Sequence, residues 1–570
     1  LMANRLDPIN LVDFTGGLNT RASPFQLGEN ETPESLNVAV DRLGGIYSRY
    51  GWERWSEDDL WDDPEEWDPR RGFMHALSDG SFNTYVAANG TIIGMTGTPE
   101  AVDLAIPCAA ITHLADFATM GDTVYIACGR ENVSYTRTLA GAPAAMVAAG
   151  AGQWNDDYTD PTGGVMPKAE LVESHAGYIF VANLEEDGTD FPNRIRWSHP
   201  TSPGDWAQAD YIDIASEGSR ITALMSFQDH LLVFKSDGLW AIYGYDANSW
   251  QVIKKSTTIG APGPQAVTRS ETTVFFYSAS DHGSIYAYAG EMPQEIAPQL
   301  RRSIGQITHP DLIWVGWLRR KLWVTVPWDY DGAKDDSTGV FVFDPAVGEN
   351  GCWMFFTSQS GGLGPLVGGS NLDSAFRPMG VLRNTELPRI VLLDAIEEFA
   401  YDSVADISMI GATPSTGDPF DAIVIVTSSG EQIIASGMPG LQPFRTAYRT
   451  PWLTAGWPTR KKSFRRPDFV CRRTGLTHQL RIQSFRDYEE INPRRQHTMN
   501  VDGQGLTVWG EFDWGDGTLW GEGRVAGNKI VRGGTLGLCK AVQVRITGVT
   551  PGARWGIDAI VMKLVMRRFH

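Results

Sequence analysis

The chain has 570 residues, 42% of them hydrophobic and 20% charged, with a formal net charge of −20. That length exceeds what one hydrophobic core serves, so two or three domains are expected, and the composition excludes a disordered or fibrous chain. The negative charge argues against a conventional nucleic-acid binder, which presents a basic surface to phosphates, and against docking on anionic lipid.

Residues 1–70 read as an irregular N-terminal arm: FTGGLNT, then SPFQLGENETPESLNV, then VDRLGGIYSRYGWERW. Short strands at 36–40 and 45–50 are separated by Gly and Pro. The arm ends in SEDDLWDDPEEWDPRR, expected as a surface loop with its tryptophans folded inward. LMANRLDPINL lacks the basic start and long apolar core of a signal peptide, so no secretory leader is expected. No uninterrupted apolar run approaches the roughly 20 residues that span a bilayer.

From 71 to 420 a hairpin keeps returning. An apolar strand runs into a short polar turn and a second strand at 84–95, 123–137, 177–198, 231–244, 273–290, 322–344 and 389–402. The first strands recur roughly every 40 to 70 residues, close to the period of propeller blades. Such a unit cannot bury its faces alone and must stack on its neighbours. The expectation is an all-β chain with a β-propeller of six to eight blades, and 61 Gly and 20 Trp suit many short strands joined by tight turns. Two interruptions stand out: a long loop at 150–168 (GAGQWNDDYTDPTGGVMPK), and a weak helical stretch at 394–399 that reads as a hairpin turn.

Near residue 420 the pattern changes. AIVIVTSSGEQIIASG is one more hairpin, and the charge then inverts: Arg449, Arg460, Lys461, Lys462, Arg465, Arg466, Arg472, Arg473, Arg481, Arg486 and Arg494 meet few acids. FVCRRTG, HQLRIQSF, LTVWGEFDW, AVQVRITG and WGIDAIVMKLVMRR alternate with period two between Gly-rich turns. That is the signature of an antiparallel β-sandwich, so 421–570 is expected as a C-terminal domain.

Catalytic signatures are missing from the sequence: there is no G-x-x-x-x-G-K-[ST], G-x-S-x-G or H-E-x-x-H. GGLGPL at Gly361 matches no phosphate loop. Asp329, Asp331, Asp335 and Asp336 fail the EF-hand register, and the run at Asp513 reads as a hairpin turn. Asp281 and His282 lie in a turn where polar residues belong. Cys108, Cys128, Cys352, Cys471 and Cys539 are scattered and odd in number, which favours reduced thiols and neither disulfides nor zinc. No metal and no cofactor is expected. Paired carboxylates for glycoside hydrolysis meet in space and not in sequence, so a propeller glycosidase stays open as an alternative. The basic block Arg460, Lys461, Lys462, Arg465 and Arg466 has three readings: a grip on DNA phosphates, a pairing with acidic surfaces of neighbouring subunits, or a solvated face.

Three stretches together resemble a known family. FTGGLNTRASPFQLGENETPESLNVAVDRLGGIYSRYGW, the span NRIRWSHPTSPGDWAQADYIDIASEGSRITALMSFQDHLLVFKSDGLWAIYG, and the closing AVQVRITG and WGIDAIVMKLVMRR are similar to the tail nozzle, or tail tubular, proteins of tailed bacteriophages. The resemblance implies a non-enzymatic virion structural protein, made in the host cytoplasm and resident in the tail. It would form a homo-oligomeric ring, usually sixfold, enclosing the channel through which genomic double-stranded DNA passes without sequence-specific binding. Its partners would be itself, the head–tail adaptor, and tail fibre or spike proteins, with no membrane insertion. A negative channel wall would repel phosphates and lower friction. On this reading the basic patch serves subunit contacts, and the 150–168 loop, with Trp154, Asp156, Asp157 and Asp160, is a candidate channel gate. The alternatives are a tail-tip, hub or minor tail protein contacting the host, or a glycan-binding or glycan-cleaving propeller.

Overall fold

The computed structural model describes residues 5–49, 69–146, 166–356, 377–393, 408–436, 446–501 and 529–566, apart from short breaks within those spans. The chain forms two compact units. One holds 55–339 and 372–399; the other holds 1–54, 340–371 and 400–570. Where the sequence suggests boundaries at 70 and 420, the contacts group the arm and an excursion near 350 with the C-terminal residues.

The first unit is a β-propeller. Its first blade is the antiparallel meander Pro69–Ala76, Phe82–Ala88, Thr91–Thr96 and Leu104–Pro107. Blades two to five repeat the pattern, beginning at Asp116–Met120, Lys168–His175, Ile221–Phe227 and Val267–Arg269. Trp314–Leu318 and Lys321–Pro327 open the sixth, and Arg377–Leu382 with Arg389–Leu393 make the described part of the seventh. Each innermost strand neighbours the next, and Arg377–Leu382 lies between Trp314–Leu318 and Pro69–Ala76, which closes the circle at seven blades.

Why these residues stack is visible in the second strands. His230–Lys235 and Val274–Ser278 are buried throughout, because each blade is covered on both faces by its neighbours and the usual alternation is lost. Phe180, Ile195 and Trp197 of the third blade pack with Leu231, Val233 and Trp240 of the fourth. Leu232, Phe234 and Leu239 on the other side of the fourth meet Val274, Phe276 and Tyr288 of the fifth. Each such side chain contributes about 1.5–3 kcal/mol relative to exposure. Side-chain oxygens join blades as well: Asp116 Oδ2 accepts from Val172 N at 3.1 Å, and Thr268 Oγ1 from Trp317 N at 3.1 Å.

The second unit is a β-sandwich. One sheet is built on the long strand Gly556–Met566, which pairs with Lys462–Phe464, Asp468–Cys471, Ile46–Ser48 and Arg5–Leu11. Lys529–Arg532 and Gly537–Cys539 extend it. The other sheet runs Cys352–Phe356, Glu34–Leu36, Ala447–Arg449, Val542–Gly548, His478–Arg486 and Arg495–Val501. Trp555 Nε1 donates to Thr446 Oγ1 at 2.8 Å and ties the sheets together.

The arm is therefore structural, and it gives strands to both sheets. Its glycines have a steric reason. Gly17 has φ +63°, and a Cβ there would stand 2.6 Å from Cys352 Sγ and the Trp353 carbonyl. Phe14 beside it is buried edge-on against the Tyr448 ring, with centroids 5.5 Å apart.

Several sequence expectations fall outside the described residues: the acidic stretch at 56–68, the turns at 281–282 and 328–336, GGLGPL at 361–366, the 394–399 turn and the run at 513–523.

Candidate functional site: a basic segment of the sandwich

The basic segment enters the sheet through a compact turn. Trp457 N donates to Thr454 O at 3.0 Å, Arg460 N donates to Trp457 O at 3.3 Å, and the chain then straightens into Lys462–Phe464. Alternation along that strand splits the predicted patch. Lys462 points inward and is 0% exposed, its Nζ donating to the Thr454 carbonyl at 2.6 Å and to that of Trp457. Burial lowers its pKa below the ordinary lysine value. Lys462 is thus an internal clamp on the turn, and it leaves the candidate interface.

Arg460, Lys461, Arg465 and Arg466 are exposed and remain together. The Arg460 guanidinium sits 4.5 Å from the Trp457 ring centroid, which holds it over an aromatic face. Other arginines of the charge inversion turn inward. Arg449 Nε lies 3.1 Å from the Glu34 carboxylate, which also binds Arg545. Arg472 is held by Asp558 at 2.5 Å and by Asp41. Part of the basic excess is therefore spent inside the sandwich, anchoring the acids of the arm.

The candidate gate residues Trp154, Asp156, Asp157 and Asp160 lie outside the described residues. Cys128, Cys352, Cys471 and Cys539 are buried and unbridged. Burial pushes the thiols of Cys471 and Cys539 up to about 12, so neither is a nucleophile at neutral pH. Among the described residues, no group of three or more His, Cys, Asp or Glu could hold a metal ion.

One polar cluster escaped sequence reasoning. His175 Nδ1 and Ser226 Oγ are 2.9 Å apart, joining the third and fourth blades. His230 Nδ1 meets Asp229 at 2.9 Å, and its Nε2 meets the Tyr288 hydroxyl of the fifth blade at 3.2 Å. Arg269 Nη1 donates to the Ser226 carbonyl at 2.6 Å. Burial, helped by His230 and Arg269 and opposed by Asp229, lowers the His175 pKa to about 4, so this ring is neutral at physiological pH. The serine and the aspartate bond to different imidazoles, so no Ser-His-Asp relay is formed. These bonds clasp blades to one another. The signal was a histidine at or just past an inner-strand end, in ESH at 173–175 and DH at 229–230, and only the ring closure gives it a partner.

Asp210 carries a pH dependence. It is 8% exposed, its Oδ2 has no hydrogen-bond partner, and burial raises its pKa to about 6. The folded carboxyl therefore holds a proton more tightly than the unfolded one, so stability falls as pH rises from about 4 through about 6 and is level above. Asp210→Asn should raise the propeller's stability at pH 8 by roughly 2 kcal/mol and change little at pH 4. Thermal unfolding of both proteins from pH 4 to pH 8 checks this; parallel curves refute it.

No family model matches the chain, and no curated protein matches it. Among solved structures it is similar to virginiamycin B lyase from Staphylococcus aureus, at 11% identity over 59% of this chain and 95% of that one, with a TM-score of 0.36. The WD40 domain of Neurospora crassa Pan2 is similar at 10% identity, over 60% of this chain and 92% of that one, with a TM-score of 0.35. The Cps50 (Swd1) β-propeller domain of Myceliophteria thermophila follows at 11% identity, over 52% and 95%, with a TM-score of 0.32. At such identities no function passes from these proteins to this chain.

Proposed function

We propose that this chain is a virion structural protein that assembles as a homo-oligomeric ring in a bacteriophage tail and encloses the path by which DNA leaves. The observation that carries the reading is where the family-like arm residues fall. Phe14, Gly17, Leu18, Val38 and Val40 are core or close-contact positions of the sandwich. The resemblance therefore rests on residues that the fold requires and not on a decorated surface loop. Charge supports it: a chain of net −20 repels a passing phosphate backbone, while Arg460, Lys461, Arg465 and Arg466 stand exposed on one segment suited to protein contacts. Adaptor and fibre or spike proteins are the further partners, and no catalytic step is assigned.

The test is the mass and negative-stain shape of the protein, purified alone and recovered from disrupted particles. A closed ring of about six copies with an open axis is the expected result. A monomer in both preparations sinks the proposal. If that monomer binds or cleaves cell-surface glycans, the propeller acts as a glycan module.

A further inference from the structure

We infer that the outward face of the sheet built on Gly556–Met566 is the surface by which one copy of this chain docks on an acidic surface of a second copy. The inference rests on the self-assembly proposed above and names its surface.

The face can be read row by row, since directly paired residues of an antiparallel sheet point to the same side. Ser463 pairs with Leu538 and with Val565. The ladder continues through Arg465 N, which donates to Lys563 O at 2.9 Å, so Arg465 and Lys563 stand opposite each other on that side. Asp468 pairs with Arg532 and Val561, and Val470 with Ile530 and Ala559. One rung beyond the pair Lys462 and Cys539 come Lys461 and Lys540, both exposed. The inward rows are Phe464, Phe469, Cys471, Ile560, Met562 and Leu564, all core.

Two features of this face call for a partner. Lys461, Arg465, Arg532, Lys540 and Lys563 share it with Asp468, which lies 3.5 Å from both Arg532 and Lys563. Like charges opposite each other in a sheet destabilise it, yet two such pairs persist on a chain with an excess of acids. Between the cations run apolar rows that water covers poorly: Ile530 is 65% and Leu538 41% exposed, with Val470, Val561 and Val565 half-buried beside them. An acidic protein surface with its own apolar centre satisfies both features. DNA satisfies only the first, since a phosphate backbone offers Ile530 and Leu538 nothing, and the rest of the chain repels it. Excess acids are what a second copy of this chain supplies.

The experiment uses the full chain, with Arg465→Glu and Lys563→Glu combined and, separately, Ile530→Asp. All three positions are exposed, and an unchanged thermal transition verifies that each variant folds. Sedimentation is followed at stepped sodium chloride concentrations. The parent should assemble and dissociate as salt rises, and each variant should self-associate at least roughly tenfold more weakly. Variants that assemble like the parent overturn the assignment and leave the ring reading standing. A parent that stays monomeric at every concentration overturns both. Binding of a random DNA duplex by the parent, lost in the charge variant while assembly is unchanged, assigns the face to nucleic acid instead.

Discussion

Glu34→Ala should cost the sandwich about 3 kcal/mol, seen as an early transition in calorimetry of the full chain. Glu34 pairs across the sheet with Arg449, and Arg449 in turn with Arg545, so one carboxylate binds two guanidinium groups that stand on adjacent strands. Both arginines are largely buried, and burial lowers the Arg449 pKa while Glu34 raises it and Arg545 lowers it further. Removing the acid leaves two like charges facing each other out of water. That is the costly way to break a buried ion pair, since the unpaired charges remain. The same strand holds backbone bonds to Ala447–Arg449, so the arm should also detach more readily: limited proteolysis should cleave near residue 34 sooner than in the parent. A transition unmoved by the substitution would show that water already screens this row.

Lys462→Met should cost about 2–3 kcal/mol, although the new side chain fills the same space and is less polar. Its Nζ is a second, charged donor to the carbonyls of Thr454 and Trp457, and methionine has none to offer. The energetic loss is that of two charge-assisted hydrogen bonds, each carbonyl keeping only its backbone donor, Trp457 N or Arg460 N. Lys462→Arg should not restore the parent, because a planar fork does not fit where a compact ammonium serves two acceptors. Trp457 stacks under Arg460 on the same turn, so its fluorescence should shift in the variant and report the rearrangement locally. Equal stability of Lys462→Met and parent would refute the clamp.

The seven hairpins read from the sequence are, for six of them, the two middle strands of each blade. Those strands lie between neighbouring blades and must be apolar on both faces, which leaves a strong mark. The outer strands leave none: most of Gln251–Ser256 is exposed, and Tyr211–Asp213 is short. In the seventh, Arg389–Leu393 takes the same second place in its blade, and 394–402 lie outside the described residues. Arg389–Leu393 pairs backwards with Arg377–Leu382, whose Pro378 and Gly380 flank a register shift and hide a strand from any reading of alternation. The arm posed a different problem. Its short strands were legible, but their partners are not local: Thr32 Oγ1 donates to the carbonyl of Arg449, more than four hundred positions along. Within the basic block, Lys462 was indistinguishable from Lys461 until the turn at 454–457 supplied its acceptors.

The pairing of Arg5–Leu11 with Gly556–Met566 has a consequence for synthesis. A ribosome adding about 5–20 residues per second leaves the first strand waiting roughly half a minute to two minutes for its mate. Ile46–Ser48 waits for the same segment, and Glu34–Leu36 for Ala447–Arg449. The sandwich thus forms only after Gly556–Met566 has been made, and a nascent chain carries unmatched strand edges while blades form between them. A product that stops short of Gly556–Met566 cannot complete that sheet, and its first strand stays without a mate.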